Sequence, residues 1–247
     1  MCKKAIEIRH LDYKYPDGTR ALADITLDVL EGETLGLIGS NGAGKSTLLL
    51  HLNGILQGSH PVRILGIPVN KGNLSFIRSQ VGMVFQDPDH QLFMPTVFDD
   101  VSFGPVNMGM KTEEVNASVR EALAEVDVLP LAGRSSHHLS VGEKRRVSIA
   151  TVLSMKPGMI VLDEPSSNLD PRHRRELIEL LNRLRMTKII ATHDLPLVWE
   201  TCDRVALMDG GRICDIGETR AILSDEILME AHDFQMPFAW KERKKSR

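Results

Sequence analysis

The spacing of apolar residues changes character along this chain. AIEIRHL and DITLDVL, near the N-terminus, read as strands joined through a turn at Tyr15–Gly18, where Tyr-Pro-Asp-Gly supplies turn-forming residues. ETLGLIG is an apolar, strand-like run, and STLLLHLNGIL, a few residues later, is helix-like. VGMVFQ, residues 81–86, predicts another buried strand. From about Asp87 to Met155 the pattern becomes mainly helical. TEEVNASVREALAEVDVL places Val115, Val119, Ala122, Val126 and Leu129 on one helical face, with two glutamates in the favoured first turn. Short apolar runs then return in GMIVLDEP, TKIIATHD, DRVALMD and GRICDIG. Between the first two, PRHRRELIELLNRLR starts at Pro171 and carries Leu177, Ile178, Leu181 and Leu184 on one face. Alternating strand and helix predicts a parallel sheet with right-handed crossovers, interrupted by a helical insert.

The junction between ETLGLIG and its helix carries the strongest chemical signal. Residues 39–47 read GSNGAGKST, the phosphate-loop pattern G-x-x-x-x-G-K-[ST]. Gly39, Ser40, Asn41, Gly42, Ala43 and Gly44 form the loop; Lys45, Ser46 and Thr47 open the helix. Strand, glycine loop and helix is the order the chemistry needs. Glycines let backbone N–H groups turn toward phosphate oxygens, and the helix N-terminus adds its positive dipole end. Lys45 would reach the β- and γ-phosphates of a nucleoside triphosphate, and Ser46 would hold Mg²⁺. MIVLDEP, residues 159–165, is a buried strand ending in two carboxylates. In parallel sheets that end is where ligands bind. Asp163 suits a water-mediated Mg²⁺ contact, and Glu164 can polarise an attacking water.

Composition narrows the classes. Among 247 residues the formal net charge is −3 and aromatic content is 4%, so neither a basic field nor a stacking surface points to nucleic acid. Cys2, Cys202 and Cys214 are far apart, which suits a reducing compartment, and no Cys/His cluster suggests zinc. His137 and His138 are expected as a solvated loop pair. The N-terminus shows no signal-peptide pattern, and no stretch approaches the roughly 18 apolar residues of a membrane span. Any membrane role is therefore expected through a partner. KERKKSR at the C-terminus reads as a charged, frayed tail.

LSVGEKRRV, residues 139–147, contains an S-x-x-E capping box, Ser140 to Glu143, for a helix running to about Met155. A capped helix start beside a glycine is also an anion site. The two readings are compatible.

Taken in order, these motifs resemble the nucleotide-binding subunit of an ABC transporter. The set comprises the phosphate loop, a Q-loop at Gln86, the LSVGE signature, Walker B MIVLDE, a D-loop SSNLD and a switch histidine, His193, 30 residues beyond Asp163. The resemblance covers roughly residues 5–230. It implies an α/β P-loop NTPase core with a parallel sheet, an N-terminal antiparallel β-subdomain and an inserted helical signature subdomain. Residues 1–232 would form one nucleotide-binding domain, with about 87–155 inserted and 233–247 as tail.

The resemblance also implies roles. Tyr15 would stack on adenine, with a plain strand-end tyrosine as the alternative. Gln86 would contact Mg²⁺ and the attacking water, alongside Ser46 and Asp163. His193 would grip the γ-phosphate and orient Glu164. Ser140, Gly142 and Asp170 would act across a dimer, completing the site of a second ATPase subunit, identical or not; Asp170 would equally cap the helix at Pro171. Where the family usually reads LSGGQ, Val141 replaces the first glycine, which would be costly if the backbone there had positive φ; Ser140 and Gly142 remain, so Val141 reads as compatible with an active site.

FQDPDHQLFMPTVFDDVSFGPVNMGM, residues 85–110, is similar to the energy-coupling-factor importers, most of all their cobalt and nickel members, with biotin and other vitamin systems close behind. This implies a transmembrane scaffold subunit and a substrate-binding membrane component as partners, at the cytoplasmic face of the cell membrane. Phe85, Leu92, Phe93, Met94 and Val97 line the coupling groove or form the core of the insert, and Phe98 stands where an acidic residue is usual. The motor of an exporter or of another importer class shares every catalytic motif and differs only in the coupling segment. A soluble ABC ATPase of DNA repair would need coiled coils or zinc modules in the stretch of about 90 residues between phosphate loop and signature, which has neither heptads nor Cys pairs. A non-catalytic regulatory subunit is opposed by intact Lys45, Asp163, Glu164 and His193, while Val141 keeps that alternative open.

Overall fold

The structure, a computed structural model, describes residues 3–57 and 62–234. Cys2 and residues 235–247 of the expected tail lie outside them. Two long strands, β1 (Lys4–Lys14) and β2 (Arg20–Leu30), pair antiparallel through the predicted turn, where Tyr15 N–H donates to Thr19 O and Gly18 N–H to Tyr15 O. β3 (Thr34–Ile38) leads into the phosphate loop and α1 (Lys45–Leu52). β4 (Val62–Ile64), β5 (Ile67–Pro68) and α2 (Leu74–Gln80) come next, followed by β6 (Val81–Val84). The helical insert holds α3 (Val97–Asn107), α4 (Thr112–Glu125) and α5 (Val141–Leu153). Then β7 (Met159–Asp163), α6 (Pro171–Arg183), β8 (Thr187–Ala191), α7 (Leu195–Thr201), β9 (Arg204–Asp209) and β10 (Arg212–Glu218) follow.

Two sheets result. A four-stranded antiparallel sheet runs β2-β1-β4-β5, and a six-stranded sheet runs β10-β9-β3-β8-β7-β6. The larger sheet is parallel except for β10, which turns back antiparallel on β9 and is mostly exposed. A parallel-only reading missed this edge because GRICDIG has the composition of a strand but not the unbroken apolar run of a buried one. β3, β6, β7 and β8 are that kind of run, every residue buried. One face of the large sheet packs with α1 and the small sheet, and the other with the helical insert and α6.

Local chemistry sets several ends differently from the bare periodicity. α4 stops at Glu125, because Asp127 enters the left-handed region with φ 60°, so Leu129 leaves the helical face and is 39% exposed. β6 ends at Val84, freeing Phe85 and Gln86 from the ladder. α5 ends at Leu153, two residues early. His137 and His138 are exposed on a 3₁₀ turn, Ser136–His138. Phe234, near the expected start of the tail, is instead buried in the cluster that includes Val205, Leu207 and Leu223.

Candidate functional site

Four parallel strands deliver the site from one edge. β3 leads from Ile38 into the phosphate loop, β7 from Asp163 into Glu164, β8 from Ala191 into Thr192 and His193, and β6 from Val84 into Phe85 and Gln86. Because β8 lies between β3 and β7, His193 falls between the phosphate loop and Glu164. A cavity of about 470 Å³ opens there, lined by Tyr15, residues 41–47, Gln86, Glu164 and His193, together with Thr19, Arg20 and Ala21. Gly39 and Ser40 lie on its far side, lining a second hollow with Asn41 and His193.

The loop's backbone explains its glycines. Gly44 has φ +100° and a Cβ there would meet Ala21 O at 2.6 Å, so only glycine fits. The chain then turns into α1 with Lys45 at its first position. Lys45 is 6% exposed. Its Nζ donates to Gly39 O at 2.7 Å and Ser40 O at 3.1 Å, and lies 3.6 Å from Glu164 Oε1. The ammonium is thus aimed over the loop, with weak carbonyl partners a phosphate can replace.

Glu164 sits in the left-handed region, φ 42°, which costs a non-glycine residue about 1–2 kcal/mol. Its N–H donates to Ala191 O at 2.8 Å, which pins it. Its Oε2 accepts from Thr192 Oγ1 at 2.9 Å, and His193 Nδ1 lies 2.9 Å from the same oxygen. Strain of this kind collects at functional sites. Thr192, fully buried, is a site residue that sequence reasoning passed over.

Asp163 is buried, and Ser46 lines the cavity beside it. Its Oδ1 is buried without a partner. Burial pushes this carboxyl above the ordinary carboxylate range, and Glu164 adds to the rise, against the pull of Ser46, Lys45 and Arg145. A hydroxyl, an orphaned carboxylate oxygen and the nearby Gln86 form a hard-oxygen donor set, and so fit Mg²⁺.

Tyr15 is half-buried. Its hydroxyl is 2.9 Å from Thr47 Oγ1 and its ring meets Tyr13 edge-on at 5.1 Å, so it is tied to α1 rather than merely ending a strand.

Ser140, Gly142 and Asp170 do not line the cavity. They form a separate face. Ser140 and Glu143 make the predicted capping box: Ser140 N–H donates to Glu143 Oε2 at 2.8 Å, and Glu143 N–H to Ser140 Oγ at 3.3 Å. Val141 opens α5 with helical backbone, outside the left-handed region, and is 48% exposed. The feared strain is therefore absent. Gly142 is needed for space, since a Cβ there would meet His173 Cδ2 at 2.3 Å. Asp170 caps α6, accepting from His173 N–H at 2.9 Å, with His173 Nδ1 2.8 Å from its other oxygen.

The expected groove residues divide. Leu92 and Val97 are core, Phe85, Met94 and Phe98 are partly buried, and Phe93 is 61% exposed. Phe93 meets Phe103 edge-on at 5.0 Å. Sequence reasoning also missed Arg145 and Gln91, which grip the Gln86 loop. Arg145 had a signal: it falls on the buried stripe Gly142, Arg145, Ile149, Val152, where a charge is out of place.

Among the described residues no helix is long and apolar enough to cross a membrane. The ABC transporter family matches residues 22–167. A relative from Streptomyces coelicolor, named generically as an ABC transporter ATP-binding protein, is 50% identical over 240 residues, 97% of this chain and 92% of its own. An energy-coupling factor transporter ATP-binding protein, EcfA, from Carboxydothermus hydrogenoformans is 45% identical over 241 residues, 96% of this chain and 89% of its own. The structure of CbiO1 from Clostridium perfringens, described as part of the ABC transporter complex CbiONQ, superposes with TM-score 0.84 at 36% identity, covering 98% of this chain and 99% of CbiO1. A dimeric bacterial ABC transporter cassette, MJ0796, superposes with TM-score 0.78 at 25% identity, covering 87% and 99%. With these motifs on one sheet edge and these relatives, the chain belongs to the ABC transporter family as an ATP-binding subunit, an ATPase that powers transport.

Proposed function

We propose that this chain is the energy-coupling ATPase of an importer of the energy-coupling-factor type, with cobalt or nickel ions as cargo. The observation that carries the coupling role is the exposed Phe93–Phe103 pair on the segment leaving the Gln86 loop. Two aromatic rings held edge to face in solvent form a preorganised apolar anchor. Relatives named EcfA and CbiO1 support the energy-coupling type, and cargo rests on the resemblance of residues 85–110 alone. The chain would sit at the cytoplasmic face of the cell membrane, held there by a transmembrane scaffold and a substrate-binding membrane component. Residues 1–232 would work as one nucleotide-binding domain, carrying the insert at about 87–155.

The residues divide the work as follows. Tyr15 stacks on adenine. Lys45 exchanges the carbonyls of Gly39 and Ser40 for β- and γ-phosphate oxygens. Ser46, Asp163 and Gln86 hold Mg²⁺, which when bound neutralises charge developing on the phosphates. Glu164 accepts the proton of the attacking water, and Thr192 and His193 fix its carboxylate. His193, 63% exposed at its side chain, is free to meet the γ-phosphate. Ser140, Gly142 and Asp170 complete the site of a second ATPase subunit, so γ-phosphate loss weakens the interface.

The test is purification of the tagged chain from its own membranes in mild detergent, with mass spectrometry of what accompanies it. A scaffold subunit with a metal-binding component is the expected result. A vitamin-binding component would keep the mechanism and change the cargo. An exporter permease would overturn the coupling-segment reading.

A further inference from the structure

Arg145 occupies a place where a charge is expensive. It lies on the interior stripe of α5, one turn past Ser140, and is 2% exposed. A buried guanidinium costs several kcal/mol unless its donors are satisfied. Two of its nitrogens donate to backbone, Nη1 to Phe85 O at 2.8 Å and Nη2 to Gln86 O at 2.6 Å, while Nε is buried without a partner. Asp87 and Asp163 attract its charge from further off, while burial lowers its pKa to about 10. An apolar side chain would serve packing alone at less cost.

Gln91 completes the grip. Its Oε1 accepts from Phe85 N–H at 3.2 Å, and its Nε2 donates to Ser148 O at 2.8 Å and Thr151 Oγ1 at 2.7 Å, both on α5. Lys144 Nζ, next along α5, lies 2.6 Å from Asp89 Oδ1. Phe85 is thus bonded at both its N–H and its carbonyl, and Gln86 at its carbonyl, while the Gln86 side chain stays exposed and lines the cavity. The planar guanidinium spans two consecutive carbonyls, which a lysine ammonium cannot do with the same geometry.

We infer that Arg145 is a positioning residue whose guanidinium locks the backbone of the Gln86 loop to the helix that begins at Ser140. Loop and helix then move as one body. A displacement of Gln86 at this chain's own site is carried directly to Ser140 and Gly142, which face the partner's site. This rests on the roles proposed for Gln86 and Ser140.

The test is a double-mutant cycle on the full chain, measuring hydrolysis against Mg²⁺ concentration for wild type, Gln86→Ala, Arg145→Met and the double variant. Each single variant is expected to lower kcat by about 10- to 100-fold, the range for partners that orient metal-site groups, and to raise the Mg²⁺ needed for half-maximal rate. The double variant should be no slower than the slower single one. Trinitrophenyl-ATP affinity without Mg²⁺ should stay within about twofold of wild type, since the Lys45 cradle is untouched. Losses that multiply, or nucleotide binding lost in step with hydrolysis, would overturn the inference and leave Gln86's role standing. Gln86→Ala at the wild-type rate would remove the reading of Gln86 and the inference with it. Should Arg145→Met not fold, Arg145→Lys decides: a severalfold loss not deepened by Gln86→Ala supports the lock, and a wild-type rate overturns it.

Discussion

The phosphate-loop half and the signature half of this chain are built on opposite terms. In the first, buried Lys45 lies against buried Glu164, and Glu164 is held by Thr192 and by the more exposed His193. In the second, Ser140 and Val141 are exposed and Glu143 closes the helix start on itself. The first half is a site that needs nucleotide to relieve a strained arrangement. The second presents a helix start already closed by its own capping box. The difference teaches where a nucleotide acts first: the buried Lys45 and the orphaned Asp163 oxygen lie at the phosphate loop, and a bound nucleotide would present charge to the exposed helix start of another subunit.

That contrast can be broken most severely at Lys45. Lys45→Ala should reduce hydrolysis by at least about 100-fold, the scale for losing a preorganised charge donor; turnover near wild type would sink the phosphate-loop assignment. Next is Glu164→Gln, which removes the proton acceptor, a loss of about 100-fold or more, yet keeps the cradle. It should give an ATP-stabilised dimer by size-exclusion chromatography with ATP and Mg²⁺, and a purely monomeric profile counts against the two-half account.

Asp100 extends the comparison to the coupling segment. It is buried and accepts from Phe93 N–H and Met94 N–H, both at 2.9 Å. Asp100→Ala strands two donors and should cost about 1–3 kcal/mol by chemical denaturation, with weaker recovery of the scaffold subunit. Asp100→Asn keeps an acceptor oxygen and should retain most of both; equal damage from the two variants would refute the role of these two hydrogen bonds.

A smaller effect concerns Asp163. Its raised pKa means the folded chain holds that proton more tightly than the unfolded chain, so the ionised form costs stability above the folded pKa. Without nucleotide, Asp163→Asn should raise the melting temperature at pH 7–8, by about 2–4 °C for each kcal/mol relieved, although hydrolysis is lost. The gain should shrink as pH falls and vanish below about pH 4, where both states are protonated. A lower melting temperature at pH 7–8 would show that Asp163 is already compensated. Smallest is Val141→Gly: with helical backbone already present, it should change hydrolysis by less than about twofold, and a severalfold rise would mean that Val141 obstructs closure.

Much of this protein was legible in its sequence because the signals are local. The phosphate loop is contiguous, the capping box spans four residues, and buried parallel strands read as unbroken apolar runs. These settle that there is a P-loop core, an insert that is mainly helical and a capped signature helix. What depends on distant residues meeting could not be read that way. That Gly142 is required by the His173 ring, that Thr192 braces Glu164, that Arg145 holds Phe85 and Gln86, and that Leu92 turns inward while Phe93 faces solvent were decided only by the tertiary structure. The physical reason is the same throughout: backbone conformation and apolar periodicity are set by neighbours in the chain, whereas the partner of a buried polar group is set by which strands the sheet places side by side.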